Sequence, residues 1–427
     1  MGLRDFRIVF DNPWSTYYPG QTVSGRVIVA LDSFKKIRGI NIRIKGEANT
    51  CWATDRQELN HEGKYEKQEE TVTGHEEYFN MQYYLLGSSS GTEFDLPIGE
   101  HFYPFNCALP PTLPSSFEHD YGYVRYTVKA TIDRPWKFDH EVKTAFTVVS
   151  NFDLNKEPRA AEPVHLEMSK TFCCLCCGSP PLKVNVILPV KGYVPGQTMS
   201  IRVNVDNESG IVVNLVKLIL RKIVTFKARI PRTDTKIEKI VIAEVSKGPV
   251  EGNASSDYEQ KLDIPPLPPS NLTHCGIIDL EYNLKVEACV DGWYHSNLKS
   301  NTIVFIGTIP LANFQSAVLP PTNNTLPLGN PSADPTYGGY PSGYPEFTPR
   351  NGDPSISPTA PTAPPDYNSD SPAQLQPNNF YPNLPPPSYE EYGWSIRSLR
   401  DHGESDQVLG IQGHYAPRYP VYKFSTT

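Results

Sequence analysis

The sequence predicts an all-β protein, made of two tandem immunoglobulin-type β-sandwiches followed by a disordered, proline-rich tail. Three observations predict this class. Apolar residues alternate with period two through the first three quarters of the chain, a turn-and-strand unit occurs twice in the same order, and the composition changes near Pro310. Alternation with period two is typical of strands that bury one face.

The repeat begins with a turn. The stretch 17-YYPGQTVSGRVIV-29 returns as 193-YVPGQTMSIRVNV-205. Proline fixes φ and glycine tolerates positive φ, so Pro-Gly favours a tight turn leading into a strand. Alternation then predicts the buried faces of the two strands: Val23, Val27 and Val29 in the first copy, and Met199, Ile201, Val203 and Val205 in the second.

A second pair of matches follows in the same order. The stretch 109-LPPTLPSS-116 matches 264-IPPLPPSN-271, and 126-YTVK-129 matches 282-YNLK-285. The run 265-PPLPP-269 also resembles an SH3 ligand, but its place in the repeat favours a structural turn. Two copies of one unit, each rich in short strands and turn residues, predict two sandwiches in tandem.

The remaining strands are predicted from further alternating segments, and no segment shows a capped helical period. These segments are 37–48, 123–133, 144–150, 183–188, 237–245, 277–290 and 302–309. The predicted organisation is an N-terminal sandwich over 5–150, a linker with a cysteine cluster over 151–178, a C-terminal sandwich over 179–309 and the tail over 310–427.

The tail holds 22 of the 42 prolines and has no hydrophobic period. Such a segment cannot bury enough apolar area to offset the entropy lost on ordering, so it is expected to be disordered and biased to polyproline conformers. A stiff extended segment loses little entropy when it binds in an aromatic-lined groove. The tail is therefore predicted to be a binding region.

Charge and targeting signals exclude several classes. The net charge is −8, with five Lys/Arg against ten Asp/Glu from residue 310 onward, so no basic footprint for nucleic acid exists. No polybasic run predicts attraction to anionic lipid, and only a small patch at Lys35, Lys36 and Arg38 is left open. The first residues lack a signal-peptide core and the most apolar stretch, 211–226, carries three cations. We therefore expect a cytoplasmic protein with reduced thiols and peripheral membrane association only.

Two phrases in the tail match the Pro-Pro-x-Tyr pattern of WW-domain ligands. Two prolines stack between aromatic side chains of such a domain, and the tyrosine enters a second pocket with its hydroxyl at the wet rim. A phosphate on that tyrosine would not enter the pocket, so phosphorylation of either one is a plausible off-switch. The predicted WW-binding residues are Pro364, Pro365 and Tyr367, and Pro386, Pro387 and Tyr389.

Another phrase, Pro-Thr-Ala-Pro, occurs twice with a shared proline. It resembles the late-domain tetrapeptide that the ESCRT-I complex binds, although low complexity is an alternative explanation. Pro364 belongs both to the second tetrapeptide and to the first WW motif, so we expect the two partners to compete there. The predicted ESCRT-I-binding residues are Pro358, Thr359, Ala360, Pro361, Thr362, Ala363 and Pro364.

The cluster 173-CCLCC-177 leaves three readings open. Its interleaved Cys-x-x-Cys spacings suit zinc, but a second ligand pair is not evident. The same residues are candidates for S-palmitoylation, or are plain thiols. The candidates are Cys173, Cys174, Cys176 and Cys177. No Gly-rich phosphate loop or catalytic motif occurs, so neither catalysis nor a cofactor is expected.

One long stretch resembles a known family. The run 96-LPIGEHFYPFNCALPPTLPSSFEHDYGYVRYTVKATIDRPW-136 is similar to the signature of arrestin-domain-containing proteins, the α-arrestins. Pro13-Trp14, Pro19-Gly20, 25-GRV-27 and 44-IKGEA-48 add to the likeness, which spans about residues 5 to 310. The resemblance implies two arrestin-like sandwiches. No stretch matches the phosphate-sensing residues of visual and β-arrestins, and none is transferred.

In α-arrestins, such tail motifs recruit HECT-type ubiquitin ligases of the Nedd4 class through their WW domains. The resemblance therefore implies a non-catalytic adaptor that brings a ligase to receptor or transporter cargo. Ubiquitination, endocytosis and endosomal sorting would follow at the plasma membrane and endosomes, with ESCRT-I in vesicle budding. The alternative is a scaffold or metabolic regulator that sequesters a soluble partner such as thioredoxin.

Overall fold

The computed structural model describes residues 2–59, 65–174, 177–292, 295–312, 398–400, 404–405, 407–412 and 415–422. Within these ranges the regular structure consists of β-strands and two 3₁₀ turns, Leu154–Lys156 and Pro158–Ala161. The strands build two sandwiches, as the period-two patterns predict.

The first sandwich packs a three-stranded sheet, in the order β1-β3-β8, on a larger sheet in the order β2-β11-β10-β5-β6, with β9 beside β10. A small pair, β4 and β7, lies outside these sheets. The strands are β1 Leu3–Phe10, β2 Thr16–Tyr17, β3 Thr22–Leu31, β4 Lys35–Ile37, β5 Gly39–Leu59, β6 Tyr65–Gly87, β7 Phe94–Leu96, β8 Gly99–Ala108, β9 Phe117–His119, β10 Gly122–Asp133 and β11 His140–Val148.

The second sandwich repeats this plan with sheets in the orders β12-β15-β17-β20 and β16-β22-β21-β18-β19, and with a separate β13-β14 pair. Its strands are β12 Val164–Lys170, β13 Cys173–Cys174, β14 Cys177–Gly178, β15 Leu182–Leu188, β16 Gly192–Tyr193, β17 Thr198–Asn207, β18 Val213–Ala228, β19 Asp234–Lys247, β20 Ala254–Asp263, β21 Ile278–Val290 and β22 Leu298–Ile306.

The two copies of the Pro-Gly turn have the same geometry. Gly20 has φ 82° and Gly196 has φ 92°, a left-handed conformation that glycine adopts without a Cβ clash. In each copy the short strand before the turn pairs in parallel with the last strand of its sandwich, β2 with β11 and β16 with β22. The predicted turn is confirmed in both sandwiches.

In each sandwich a buried tyrosine bonds to the proline-rich segment that precedes it in the repeat. The Tyr126 hydroxyl donates to the Pro114 carbonyl at 2.6 Å, and the Tyr282 hydroxyl donates to the Pro268 carbonyl at 2.8 Å. Pro114 and Pro268 lie outside the strands, so this bond satisfies a carbonyl that has no partner in a strand ladder. The internal match in the sequence therefore corresponds to an equivalent bond in space.

The alternating residues form the predicted inner faces. All seven residues named for the two repeated strands are fully buried. They belong to one continuous apolar cluster that extends through both sandwiches. Burial of side chains of this size contributes about 1.5 to 3 kcal/mol each, so these faces are the main source of stability.

The two sandwiches contact each other through the outer part of a long hairpin, of which alternation predicted only the segment 37–48. Strands β5 and β6 extend beyond the first sandwich, and the Thr73 amide donates to the Ile230 carbonyl at 2.7 Å. Glu70 at the same end forms an ion pair of 2.9 Å with Arg232. The rings of His119 and Phe226 add an apolar contact, with centroids 4.8 Å apart. Both sandwiches fall in one compact unit.

Part of the predicted linker is a strand of the second sandwich. Residues 164–170 form β12, which pairs in antiparallel fashion with β15 from Val164↔Leu188 to Lys170↔Leu182. Apolar Val164, Leu166 and Met168 alternate with polar residues along this strand, and Val164 and Met168 are buried. It is an edge strand, with β15 as its one neighbour in the sheet.

Candidate functional site

The binding motifs of the tail lie outside the described residues. This applies to both Pro-Pro-x-Tyr motifs and to both Pro-Thr-Ala-Pro motifs, which all fall within 313–397. Their WW-binding and ESCRT-I-binding roles stay predictions.

The cysteine cluster is described only in part. The backbones of Cys173 and Cys174 pair with those of Gly178 and Cys177, and Cys176 lies outside the described residues. Metal binding and palmitoylation at this hairpin stay predictions. Among the residues that the structure describes, no group of three or more His, Cys, Asp or Glu side chains could hold a metal ion.

The tail returns to the folded body at its end. We call the described residues 398–400, 404–405, 407–412 and 415–422 the C-terminal strap. It lies along β11: the Leu409 amide donates to the Glu141 carbonyl, and the Lys143 amide donates to the Leu409 carbonyl, both at 2.9 Å. These bonds form a parallel bridge between Val142 and Leu409. The strap thus covers the part of this edge strand that β2 leaves open.

A buried charge cluster holds the strap at the same place. Glu404 accepts from Lys143 at 3.0 Å and forms a second ion pair of 3.0 Å with Lys129. The side chain of Lys143 is 1% exposed and that of Glu404 is 6% exposed. Because both charges are removed from water, neither can easily lose its partner. Glu141 also contacts Lys129, at 2.8 Å.

Apolar residues of the strap form a small core of their own. Leu399, Val408 and Ile411 are buried together, with Ala145 and Tyr415 packed against them. Burial raises the pKa of Tyr415 to about 12. Because these side chains are buried together, the strap is packed on the first sandwich as part of the fold.

Three tyrosine hydroxyls continue the strap across both sandwiches. Tyr415 donates to the Phe146 carbonyl at 3.0 Å, and Tyr419 donates to the Ser116 carbonyl at 2.8 Å. Tyr422 donates to the carbonyl of Thr308, in the second sandwich, at 2.7 Å. The strap therefore bonds to the first sandwich and to the second.

The segment that carries the motifs is consequently attached at both of its ends. On one side, the Ala312 amide donates to Asn155 Oδ1 at 2.9 Å. On the other side, Arg125 Nη1 donates to the Ser398 carbonyl at 3.2 Å. The described residues on both sides of 313–397 are therefore bonded to the folded body.

Sequence reasoning missed the strap because it treated residues 310–427 as one composition. The signal lies in the spacing of 415-YAPRYPVY-422, where three tyrosines stand among prolines after a region that has few large apolar residues in sequence. Contacts of this kind leave no local pattern, because single side chains such as Glu404 and Tyr422 bond to residues far away in the sequence.

No helix in the described part of the chain is long and apolar enough to cross a membrane.

Comparison with known proteins agrees with this architecture. The family described as "Arrestin (or S-antigen), N-terminal domain" matches residues 6–155, and "Arrestin (or S-antigen), C-terminal domain" matches residues 179–311. Arrestin domain-containing protein 17 of Caenorhabditis elegans is 28% identical over 98% of this chain and 99% of its own length. Arrestin domain-containing protein 1 of Homo sapiens is 29% identical over 77% of this chain and 71% of its own length.

A further relative, arrestin domain-containing protein 4 of Mus musculus, is 28% identical over 73% of this chain and 74% of its own length. The matches follow one another in the order of the two sandwiches, and the worm relative also spans the tail. The chain belongs to the arrestin-domain-containing proteins, the α-arrestin family.

Proposed function

We propose that this protein is a non-catalytic adaptor that recruits a Nedd4-class HECT ubiquitin ligase to membrane-protein cargo. The observation that carries the proposal is a pair of Pro-Pro-x-Tyr motifs on a segment whose two ends are fixed to an arrestin body. The body engages a receptor or transporter, and the bound ligase modifies cytosolic lysines of that cargo. Endocytosis and endosomal sorting follow, with recruitment to the plasma membrane and endosomes.

The spacing of the motifs supports engagement of two WW domains at once. Tyr367 and Tyr389 are separated by about 20 residues. A flexible chain of that length spans roughly 25 Å, which suits tandem domains. Linked binding events of this kind raise the apparent affinity by about 10² to 10⁴ without any new contact.

The strap limits how far the ligase can move. The second motif ends at Tyr389, nine residues before Ser398. A flexible linker of nine residues spans about 15 to 18 Å. A WW domain on this motif therefore stays beside the first sandwich, which raises the effective concentration of the ligase at cargo held there.

The first test is a titration of residues 355–398, as a peptide, with a tandem WW fragment of a Nedd4-class ligase. The wild-type peptide is compared with a Tyr367→Ala, Tyr389→Ala variant. Tyr381→Ala with Tyr392→Ala is the matched control, because it removes two tyrosines of the same segment that lie outside the motifs. Saturable binding is expected for the wild type and the control, and no binding for the motif variant.

Equal binding by all three peptides, or by none, would contradict ligase recruitment. In cells, ubiquitination of a captured cargo should likewise fall with the motif variant of the full chain and not with the control. An effect of the full chain that survives the motif variant would favour the sequestering scaffold, with a thioredoxin-like partner among its candidates.

We further propose that ESCRT-I binds the Pro-Thr-Ala-Pro phrases and competes with the ligase at the shared Pro364. Ligase and ESCRT-I would then exclude each other at 358–367, while 386–389 keeps the ligase attached. A pull-down with a peptide that ends at Tyr367 tests this. A ternary complex on that short peptide would show that the two partners do not compete.

A further inference from the structure

One end of the first sandwich carries two loops that lie side by side. The first is 34-FKK-36, at β4, and the second is 134-RPWKF-138, between β10 and β11. Lys35 Nζ lies 3.0 Å from His140 Nε2, which joins the loops at their bases. Both loops line an open groove of about 990 Å³. We call these two loops the N-terminal tip.

Three aromatic side chains of the tip point into solvent. Trp136 is 100% exposed, Phe138 is 85% exposed and Phe34 is 67% exposed. Burial of each side chain against a partner would contribute about 1.5 to 3 kcal/mol to the free energy of binding. Several large exposed aromatic side chains on two neighbouring segments of a folded protein indicate an interaction site.

The second loop is held in a fixed shape. Arg134 donates from its side chain to the Phe138 carbonyl and from its backbone amide to Asp139 Oδ1, the latter at 2.9 Å. Trp136 adopts φ 60°, a left-handed conformation that costs an L-residue about 1 kcal/mol or more. The exposed position of Trp136 is therefore part of an ordered loop, which these hydrogen bonds hold in shape.

The tip is also cationic. Its eight residues hold four basic side chains and no acidic one, in a chain whose net charge is −8. In the described part of the chain, Lys36 pairs with Glu93 at 3.6 Å, whereas Lys35 and Lys137 have no carboxylate partner. Asp5 and Glu141 also line the groove.

The cations repel one another. Burial and the charges of Arg134 and Lys137 lower the pKa of Lys35. Burial, Lys35 and Arg134 lower the pKa of His140 to about 4. An anion brought to this surface would relieve the repulsion, so the field favours a negatively charged partner.

We propose that the N-terminal tip docks on the surface of an anionic lipid bilayer. Trp136 and Phe138 enter the boundary between headgroups and acyl chains, and Lys35 and Lys137 contact lipid phosphates. Tryptophan and lysine in this combination suit a membrane interface, where one side of the ligand is apolar and the other is charged. An acidic peptide would pair with the lysines but would not bury the exposed aromatic rings of the two loops.

This inference deepens the membrane recruitment within the proposed function. Vesicle binding is measured in the absence of any ligase, so either proposal can fail while the other holds.

The test is co-sedimentation of the full chain with vesicles of phosphatidylcholine alone or with added phosphatidylserine. Trp136→Ser with Phe138→Ser removes the apolar contact, and Lys35→Gln with Lys137→Gln removes two charges. Matched controls on the second sandwich are Ile237→Ser, also an exposed apolar residue, and Lys239→Gln with Lys261→Gln, also exposed lysines. Thermal unfolding of each variant checks that the fold is kept.

Binding should require phosphatidylserine and weaken with added salt. Each lysine lost near an anionic surface should weaken binding about fivefold, so the double variant should lose about 25-fold. The aromatic variant should lose at least about tenfold, and both controls should bind as the wild type does. Equal binding to neutral vesicles, or tip variants that bind like the controls, would overturn the proposal. Binding of inositol hexakisphosphate or polyglutamate without vesicle binding would also overturn it, by assigning the tip to a soluble polyanion or an acidic peptide.

Discussion

Replacement of Glu404 by glutamine tests whether an ion pair holds the C-terminal strap on the first sandwich. The substitution keeps the size and most of the hydrogen-bonding capacity of the side chain but removes its charge. Lys143, with a side chain that is 1% exposed, loses the carboxylate at 3.0 Å, and Lys129 loses the same partner. The strap should become less stable on β11.

The expected cost follows from burial. Removal of one partner of a buried ion pair typically costs 3 to 5 kcal/mol, since the remaining charge stays away from water. Here the strap can dissociate from β11 while the sandwich stays folded, and water can then reach Lys143. The measured loss therefore cannot exceed the docking free energy of the strap, and about 3 kcal/mol, or a 150-fold change in opening, is a reasonable expectation.

Hydrogen exchange followed by mass spectrometry measures this opening directly. The amides of Lys143 and Leu409, which bond across the bridge, should exchange faster in Glu404→Gln. Glu100→Gln is the control, because Glu100 pairs with Arg4 at 2.8 Å but both side chains are 55% exposed. A solvent-exposed pair contributes less than about 1 kcal/mol. If Glu404→Gln left the strap amides as protected as Glu100→Gln does, the ion pair would not be what holds the strap.

Three further predictions concern the body. Burial lowers the pKa of Lys222 from 10.5 to about 7. Between these two values the unfolded chain binds a proton that the folded chain has lost, so the free energy of unfolding rises with pH by up to about 1.4 kcal/mol per unit. Lys222→Met should flatten this rise between about pH 7 and 8.5 in urea titrations. Gly196→Ala should loosen the strap as well as strain its turn, because the new Cβ meets the backbone carbonyl of Tyr422. Gly20→Ala is the control, since its Cβ would make only an ordinary contact with Pro111, 4.0 Å away, and it should leave hydrogen exchange of the strap unchanged. Tyr126→Phe and Tyr282→Phe should each lower the free energy of unfolding by about 1 to 3 kcal/mol, since each leaves a buried proline carbonyl without its donor, and similar losses in chemical denaturation would support the equivalence of the two repeats.

Local patterns were enough for the parts of the fold that repeat or alternate. The Pro-Gly turns at Gly20 and Gly196 and the buried faces after them could be predicted, because proline and glycine restrict φ locally and alternation follows from the pleat of a strand. The part of the hairpin β5–β6 beyond residue 48 and the edge strand β12 were not predicted. The outer part of the hairpin is largely polar and exposed, so it leaves no apolar period in the sequence. The strand β12 does alternate, but only its pairing with β15 shows that it belongs to the second sandwich and not to a linker.

The interaction surfaces divide in the same way. A linear motif is read one residue after another, so Tyr367 and Tyr389 could be proposed as WW ligands from sequence alone. The strap and the N-terminal tip are made of residues far apart in the chain: Glu404 reaches Lys143, and Lys35 reaches His140.

The sequence by itself therefore determined the class of fold, the duplication and the short motifs, all of which depend on neighbours along the chain. Only the tertiary structure decided that the described residues on both sides of 313–397 bond to the sandwiches, and that cations and aromatic rings from two segments lie at one end of the first sandwich. The physical reason is that burial, ion pairing and exposed patches depend on distances through space, which the two sandwiches set once their sheets have packed.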